Sequence, residues 1–213
     1  KPRFWDKNES FFFPILLFPI ALILRTLFYL KKSLTKTHKC AIPIICVGNI
    51  YLGGTGKTPL SIEIYSILKN LNMNPVFIRK KYKSFQDEAT LQAHIGPIYQ
   101  NKKRINAIKE AIKSKANIVI LDDGFQDFSI KKNLSIVCFD SKQSEGNGLT
   151  IPSGPLRENL SALKRADCVV INGDKNSNIE KSSANFVALW KYVSFNGFFS
   201  NPGSGTEVHH VRR

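Results

Sequence analysis

IPIICVGNIYLGGTGKTP, residues 42–59, decides the fold. Residues 42–47 form a short apolar run rich in isoleucine and valine, the composition of a buried strand. Gly48, Gly53, Gly54 and Gly56 follow, then Lys57 and Thr58. KTPLSIEIYSILKNLN continues with helical spacing and sets Leu60, Ile64, Ile67, Leu68 and Leu71 on one stripe. Strand, glycine-rich loop, Lys-Thr and helix make up the setting of a phosphate-binding loop. Glycines let backbone N–H groups close around phosphate oxygens, and the helix N-terminus adds a favourable dipole. Gly53, Gly54, Thr55 and Gly56 would form the cradle. Lys57 would reach the β- and γ-phosphates of ATP, and the Thr58 hydroxyl would ligate Mg²⁺. One position departs from the pattern G-x-x-x-x-G-K-[ST]: Tyr51 stands where it has glycine. The competing reading is a glycine-rich turn that binds nothing; the flanking strand and helix favour the phosphate loop.

At 213 residues the chain can bury a substantial core, and 43% hydrophobic residues is ordinary for a folded protein. A formal net charge of +15 is not ordinary. It implies a polyanionic partner, whether nucleic acid, an anionic lipid surface or a phosphorylated substrate. Cys40, Cys46, Cys138 and Cys168 show no C-x-x-C spacing and read as reduced thiols, mostly buried. No initiator Met opens the chain.

Residues 11–30 are apolar except for Arg25 and are long enough to cross a bilayer, although Pro14 and Pro19 interrupt the run. Lys31, Lys32, Lys36 and Lys39 follow and place that end on the cytoplasmic side. Three readings stand: a spanning anchor, a helix lying in the interface, or a buried core helix. Further strands are expected over residues 75–78, 117–121, 134–139 and 168–171, with another candidate over 186–195. Residues 102–115 read as a basic amphipathic helix with Ile105, Ile108 and Ile112 inward. Continuous apolar strands alternating with helices argue an α/β fold with a mostly parallel sheet flanked by helices.

NIVILDDGFQD sets Asp122 and Asp123 where a buried strand ends. A phosphate-loop enzyme holds Mg²⁺ there, outside the carboxyl ends of parallel strands. Gln126 could meet phosphate or water; the plain alternative is a solvated Asp-Asp-Gly turn. Asp87 and Glu88 before ATLQAH read as a helix start or as a catalytic carboxylate. Arg79, Lys80, Lys81, Tyr82 and Lys83 form a basic stretch that could bind phosphates or stay solvated. Asn172-Gly173-Asp174-Lys175 lacks the Asn-Lys-x-Asp order of guanine readers, which counts against a GTPase.

VGN-x-x-x-GGTGKTP, DDGFQ after a strand, and PSGPLRENLSALKRAD before VVING together resemble the tetraacyldisaccharide 4′-kinases of lipid A biosynthesis. PRFW before an apolar helix and FNGFFSNP resemble them too, so the likeness runs to about residue 200. The resemblance implies a membrane-associated P-loop kinase at the cytoplasmic face of the bacterial inner membrane. It implies transfer of the ATP γ-phosphate, with Mg²⁺, to the 4′-hydroxyl of a tetraacyldisaccharide 1-phosphate. By matched position, Asp87 would be the base toward the sugar hydroxyl, and Arg104 would lie near the substrate phosphates. Glu158 matches the glutamate of the Gly-Pro-Leu-Arg-Glu segment, and Tyr82 falls in a basic segment with lysines where the family has glycines. Ala89 replaces a proline of the family's pattern. The family runs well beyond 213 residues, so the resemblance implies a piece lacking the C-terminal lobe; His209-His210 does not match that lobe's Asp-His motif.

The expected organisation is a membrane-associating helix with its basic flank over residues 1–39, an incomplete kinase domain over 40–200, and an unassigned tail over 201–213. The expected partners are the lipid A disaccharide 1-phosphate and an anionic membrane surface; neither nucleic acid nor a protein partner is inferred. The rival function is a membrane-bound ATPase switch with no sugar-lipid acceptor.

Overall fold

The computed structural model describes residues 1–6, 9, 11–81, 87–174, 179, 186–190 and 208–211. By internal packing the chain divides into two compact units. One comprises residues 28–49 and 57–136, the other residues 1–27, 50–56 and 137–213.

The first unit is built on parallel strands in the order β3-β2-β4-β1. These are β1 (Ile44–Gly48), β2 (Pro75–Lys80), β3 (Ile98–Asn101) and β4 (Ile118–Asp122). β4 is buried at every position. Successive strand residues face opposite sides, so both faces of the sheet are covered there. β4 lies between β1 and β2, pairing Ile44 with Val119 on one side and Pro75 with Ile118 on the other. Helix α2 (Lys57–Asn70) packs on β1, β2 and β4, and α4 (Arg104–Lys113) on β2 and β3. Helix α3 (Asp87–Ile95) lies against α2 and β3.

Both helical stripes are rotated from the expectation. α2 buries Leu60, Ile62, Tyr65 and Leu68 and leaves Ile67 and Leu71 exposed, because Tyr65 stacks on Phe77 at 4.9 Å and turns that face to the sheet. α4 buries Arg104, Ala107, Ile108 and Ala111, with Ile105 and Ile112 only half-covered; small alanines let the helix approach the strands closely. β2 runs two residues beyond residue 78, so Arg79 and Lys80 belong to the strand and not to a loop. β3 has no counterpart in the sequence reading: it is four residues long and none of them is fully buried.

The second unit carries the glycine-rich loop's residues 50–56, the end of β5 (Leu134–Asp140), β6 (Cys168–Asn172), β7 (Phe186–Trp190) and β8 (Val208–Val211). β6 and β7 are parallel, and β8 returns antiparallel to β7. The strand expected over residues 186–195 is described as far as Trp190; its remainder lies outside the described residues. A short 3-10 turn, Arg3–Trp5, plugs into residues 145–155. Trp5 is buried, donates its ring N–H to the Pro152 carbonyl at 3.0 Å, and its own carbonyl accepts from Asn147 N–H at 2.8 Å.

Helix α1 (Phe12–Leu34) is long and apolar enough to cross a membrane. Only Pro14 and Ala21 are buried along it, and Phe12 and Ile15 are each 68% exposed. A core helix would bury such side chains, so this exposure counts against the core-helix reading. Pro14 sits in the first turn, where its missing N–H costs nothing, and Pro19 is carried inside the helix.

Candidate functional site

The site is built first from β1. Its last residue, Gly48, lies against Phe125: a Cβ there would meet the Phe125 Cβ at 2.6 Å and the Phe125 backbone nitrogen at 3.1 Å. The strand that feeds the loop can therefore lie against the turn after β4 only without a side chain. Gly48→Ala is expected to destabilise the protein by about 1–3 kcal/mol, as overpacking does; thermal unfolding checks this, and an unchanged Tm would refute it. Beyond β1, Tyr51 is buried and bridged antiparallel to Leu156, Leu52 N–H donates to the Pro155 carbonyl, and Arg157 N–H donates to that of Ile50. The backbone at 51 is thus held as a short ladder rather than a glycine turn, which explains the departure from the motif. Gly56 has φ +83°, a conformation that favours glycine, and delivers the chain into α2 at Lys57.

The carboxylates come next. Asp122 is the last residue of β4, not the first beyond it, and it pairs in register with Val47 of β1. Asp123 N–H donates to the Val47 carbonyl at 2.9 Å, and Asp123 takes a left-handed φ of +52°. Asp122 is buried. Its Oδ2 accepts from Gln92 Nε2 at 3.1 Å and lies 3.4 Å from Arg79 Nε. The same Gln92 nitrogen donates to Ser61 Oγ at 2.8 Å, and Ser61 donates to the Thr58 carbonyl at 2.8 Å.

Arg104 is turned inward. Its Nη2 donates to the carbonyls of Asp123 at 2.7 Å and Asp122 at 3.4 Å, and Nη1 to Asp127 Oδ2 at 3.0 Å. Gln126 likewise donates to a backbone, the Asn49 carbonyl, at 2.8 Å. Burial pushes the Asp127 carboxyl up, but hydrogen bonds from Ser129 and the charge and hydrogen bond of Arg104 outweigh it and leave the group below its ordinary range. A depressed folded pKa gives stability that is complete above the unfolded value near 4 and disappears as pH falls through the folded one. Wild type is therefore expected to lose stability on acidification below about pH 4, and Asp127→Asn to show a flatter loss there. Parallel Tm-versus-pH curves for the two proteins would contradict this.

The turn after the carboxylates is also fastened to the end of α1. Phe28 meets Phe128 edge-on at 5.6 Å, and Lys32 and Lys132 lie 5.0 and 5.7 Å from the Phe128 ring centre. Lys132 Nζ donates to the Phe125 and Asp127 carbonyls at 3.0 and 2.7 Å. In the other unit, Glu158 is buried and accepts two hydrogen bonds from Arg165 Nη2, at 3.0 and 2.8 Å.

Six of the residues singled out in the sequence are brought together within the first unit: Thr58, Asp122, Asp123, Gln126, Arg104 and Arg79. Lys57 opens α2 and Asp87 opens α3 in the same unit, while Gly53, Gly54, Thr55 and Gly56 belong to the loop of the other. Tyr82 lies outside the described residues. Gln92, Asp127 and Phe128 were not foreseen. The one available signal was Gln92 lying five residues after Asp87 in a helical stretch.

The donor set suits Mg²⁺. A threonine hydroxyl and carboxylates are hard oxygen ligands, and Mg²⁺ held with a nucleotide needs only one or two carboxylates beside phosphates and waters. Among the described residues no three His, Cys, Asp or Glu gather into a closed metal cage.

A family model described as tetraacyldisaccharide-1-P 4′-kinase matches residues 13–96 and 83–198. A tetraacyldisaccharide 4′-kinase of Pelagibacter ubique is 47% identical over 177 residues, covering 83% of this chain and 56% of that protein. Another, of Paramagnetospirillum magneticum, is 33% identical over 207 residues, covering 88% of this chain and 63% of that protein. The chain thus spans a little over half the length of these curated relatives. Among solved structures, that of "apo" form LpxK from Aquifex aeolicus in complex with ATP superposes with a TM-score of 0.67 at 23% identity, covering 84% of this chain and 66% of that one. This likeness shows the fold, a P-loop sheet with flanking helices.

Proposed function

The chain belongs to the tetraacyldisaccharide-1-P 4′-kinase family, and from that premise we propose that the full-length protein transfers the γ-phosphate of ATP to the 4′-hydroxyl of a tetraacyldisaccharide 1-phosphate. The observation that carries the reading is the register of β1 against β4. Val47, just before the glycine loop, pairs with Asp122, so a buried carboxylate stands beside the strand that feeds the phosphate cradle.

Gly53, Gly54, Thr55 and Gly56 would cradle the phosphates with their backbone N–H groups, and Lys57 would add its charge to the β- and γ-phosphates. Thr58 and Asp122, with Asp123, would hold Mg²⁺, which when bound offsets the charge developing on the transferred phosphoryl group. Asp87 would accept the proton of the attacking hydroxyl. Arg104 would act by holding the Asp122 and Asp123 carbonyls in place, as its hydrogen bonds support. Glu158, anchored by Arg165, would offer a fixed carboxylate toward the substrate.

The substrate is an amphiphile, and the exposed apolar α1 followed by Lys31, Lys32, Lys36 and Lys39 suits the cytoplasmic face of the inner membrane. Deleting residues 11–30 is expected to release the protein from anionic vesicles in a flotation assay. Retained binding would remove α1 from the membrane reading. Release of wild type by high salt would mark an interfacial helix, since salt screens the lysines but leaves apolar insertion intact.

The deciding experiment follows radiolabelled γ-phosphate with the full-length protein and the disaccharide acceptor. Label on the lipid supports a kinase. Free phosphate released without regard to the acceptor would support an ATPase switch instead.

A further inference from the structure

We propose that Gln92 is a positioning residue for the metal carboxylate Asp122, an inference that rests on the kinase reading above. Gln92 is fully buried, as is Ser61, and Asp122 is nearly so. The direction of each hydrogen bond is fixed by chemistry. The Asp122 carboxylate can only accept, so the Gln92 NH₂ group must face it. The Thr58 carbonyl can only accept, so the Ser61 hydroxyl donates to it and leaves an oxygen lone pair for the second Gln92 N–H. Gln92 Nε2 therefore gives both its protons, one to Asp122 Oδ2 and one to Ser61.

The result is a buried polar relay that joins three elements. It runs from the first turn of α2, where Thr58 sits, through Ser61 to α3, and from α3 to the end of β4. Thr58 and Asp122 are the two metal ligands that come from different elements, and the relay fixes one against the other. It also fastens α3, whose first residue is Asp87, to the same carboxylate. Gln92 and Arg79 both approach the same Asp122 oxygen and so help to orient the carboxylate.

A role in simple core filling fits poorly. An apolar side chain of similar volume would fill the space without desolvating an amide, and Gln92 Oε1 is buried with no hydrogen-bond partner among the described residues. The amide is held there for its two donors. Outer-shell partners of metal ligands characteristically change metal affinity about 10–100-fold when removed.

The test uses full-length protein carrying Gln92→Met, which keeps the length of the side chain and removes both donors. Mn²⁺ binding in the presence of a non-hydrolysable ATP analogue is read by electron paramagnetic resonance, alongside the Mg²⁺ concentration for half-maximal transfer. Both should weaken about 10-fold or more, with kcat recovering at saturating Mg²⁺ and metal-free nucleotide affinity unchanged. A second variant, Ser61→Ala, leaves the Gln92–Asp122 hydrogen bond in place and breaks only the link to α2. It should weaken Mn²⁺ binding less than Gln92→Met does, and the double variant should bind Mn²⁺ no better than Gln92→Met alone. If Gln92→Met binds Mn²⁺ within twofold of wild type, or if the double variant regains metal affinity together with stability, Gln92 is structural only. Wild-type protein that binds no Mn²⁺ with the analogue would overturn the kinase reading itself. Wild type that binds and transfers, beside an equally competent Gln92→Met, would overturn this inference alone.

Discussion

Lys57→Ala is expected to abolish measurable phosphoryl transfer by the full-length protein and to weaken ATP binding, with little change in Tm. The side chain is half-exposed at the first residue of α2, so its removal leaves no buried cavity, and alanine is the best helix former. What disappears is a charge placed at the mouth of the phosphate loop, beside the positive end of the helix. Removing a single neutral donor from a charge-stabilising site costs about 10²–10³-fold in kcat, and a full positive charge on the transferring phosphates is worth at least that. Isothermal titration with ATP and steady-state transfer to the disaccharide 1-phosphate measure the two effects separately. Transfer within a few-fold of wild type would sink the assignment of the loop.

Asp87→Asn carries the second-largest expected effect, a fall in kcat of about 10²–10⁴-fold with ATP affinity nearly unchanged. A sugar hydroxyl is a weak nucleophile at neutral pH, and a carboxylate within hydrogen-bond reach can take its proton as the new bond to phosphorus forms. α3 begins at Asp87, so the rival role is also concrete: an acidic residue in the first turn complements the helix dipole. The two roles separate cleanly. Loss of a dipole interaction is worth about 0.3–1 kcal/mol of stability and leaves turnover alone. Loss of a base leaves Tm alone and removes turnover. A kcat within a few-fold of wild type, with or without a small drop in Tm, would take Asp87 out of the mechanism.

The strand, glycine-rich loop and helix over residues 44–70 were legible because their signal is local. An apolar run, four glycines, Lys-Thr and a helical period all fall within residues 42–72, and each comes from backbone chemistry that neighbours in sequence decide. Asp122 and Asp123 were legible for the same reason, at the end of a continuous apolar strand. What stayed hidden depends on partners far away in sequence. Tyr51 looks like a flaw in the motif until Leu156 pairs with it. Ile67 and Leu71 satisfy a helical stripe on paper, yet Tyr65 meeting Phe77 turns the helix so that they face outward. Arg104, which the family resemblance sets near substrate phosphates, is turned toward two backbone carbonyls 18 and 19 residues ahead of it and the Asp127 carboxylate 23 residues ahead. Gln92 carries no motif at all; only the meeting of α2, α3 and β4 gives its amide something to hold.

The Trp5 plug has a consequence for the order in which the molecule is made. Its ring N–H partner, Pro152, lies 147 residues further along the chain. At translation speeds of about 5–20 residues per second, Trp5 is made roughly 7–30 s before that partner exists. Once α1 has emerged it is apolar and still without the segment that buries the turn before it. Residues 50–52 have a shorter wait of the same kind for residues 155–157. A nascent chain in this state offers a long greasy helix with a lysine-rich trailing edge well before it offers a finished nucleotide loop. On the membrane reading proposed above, a membrane would meet this protein before ATP does.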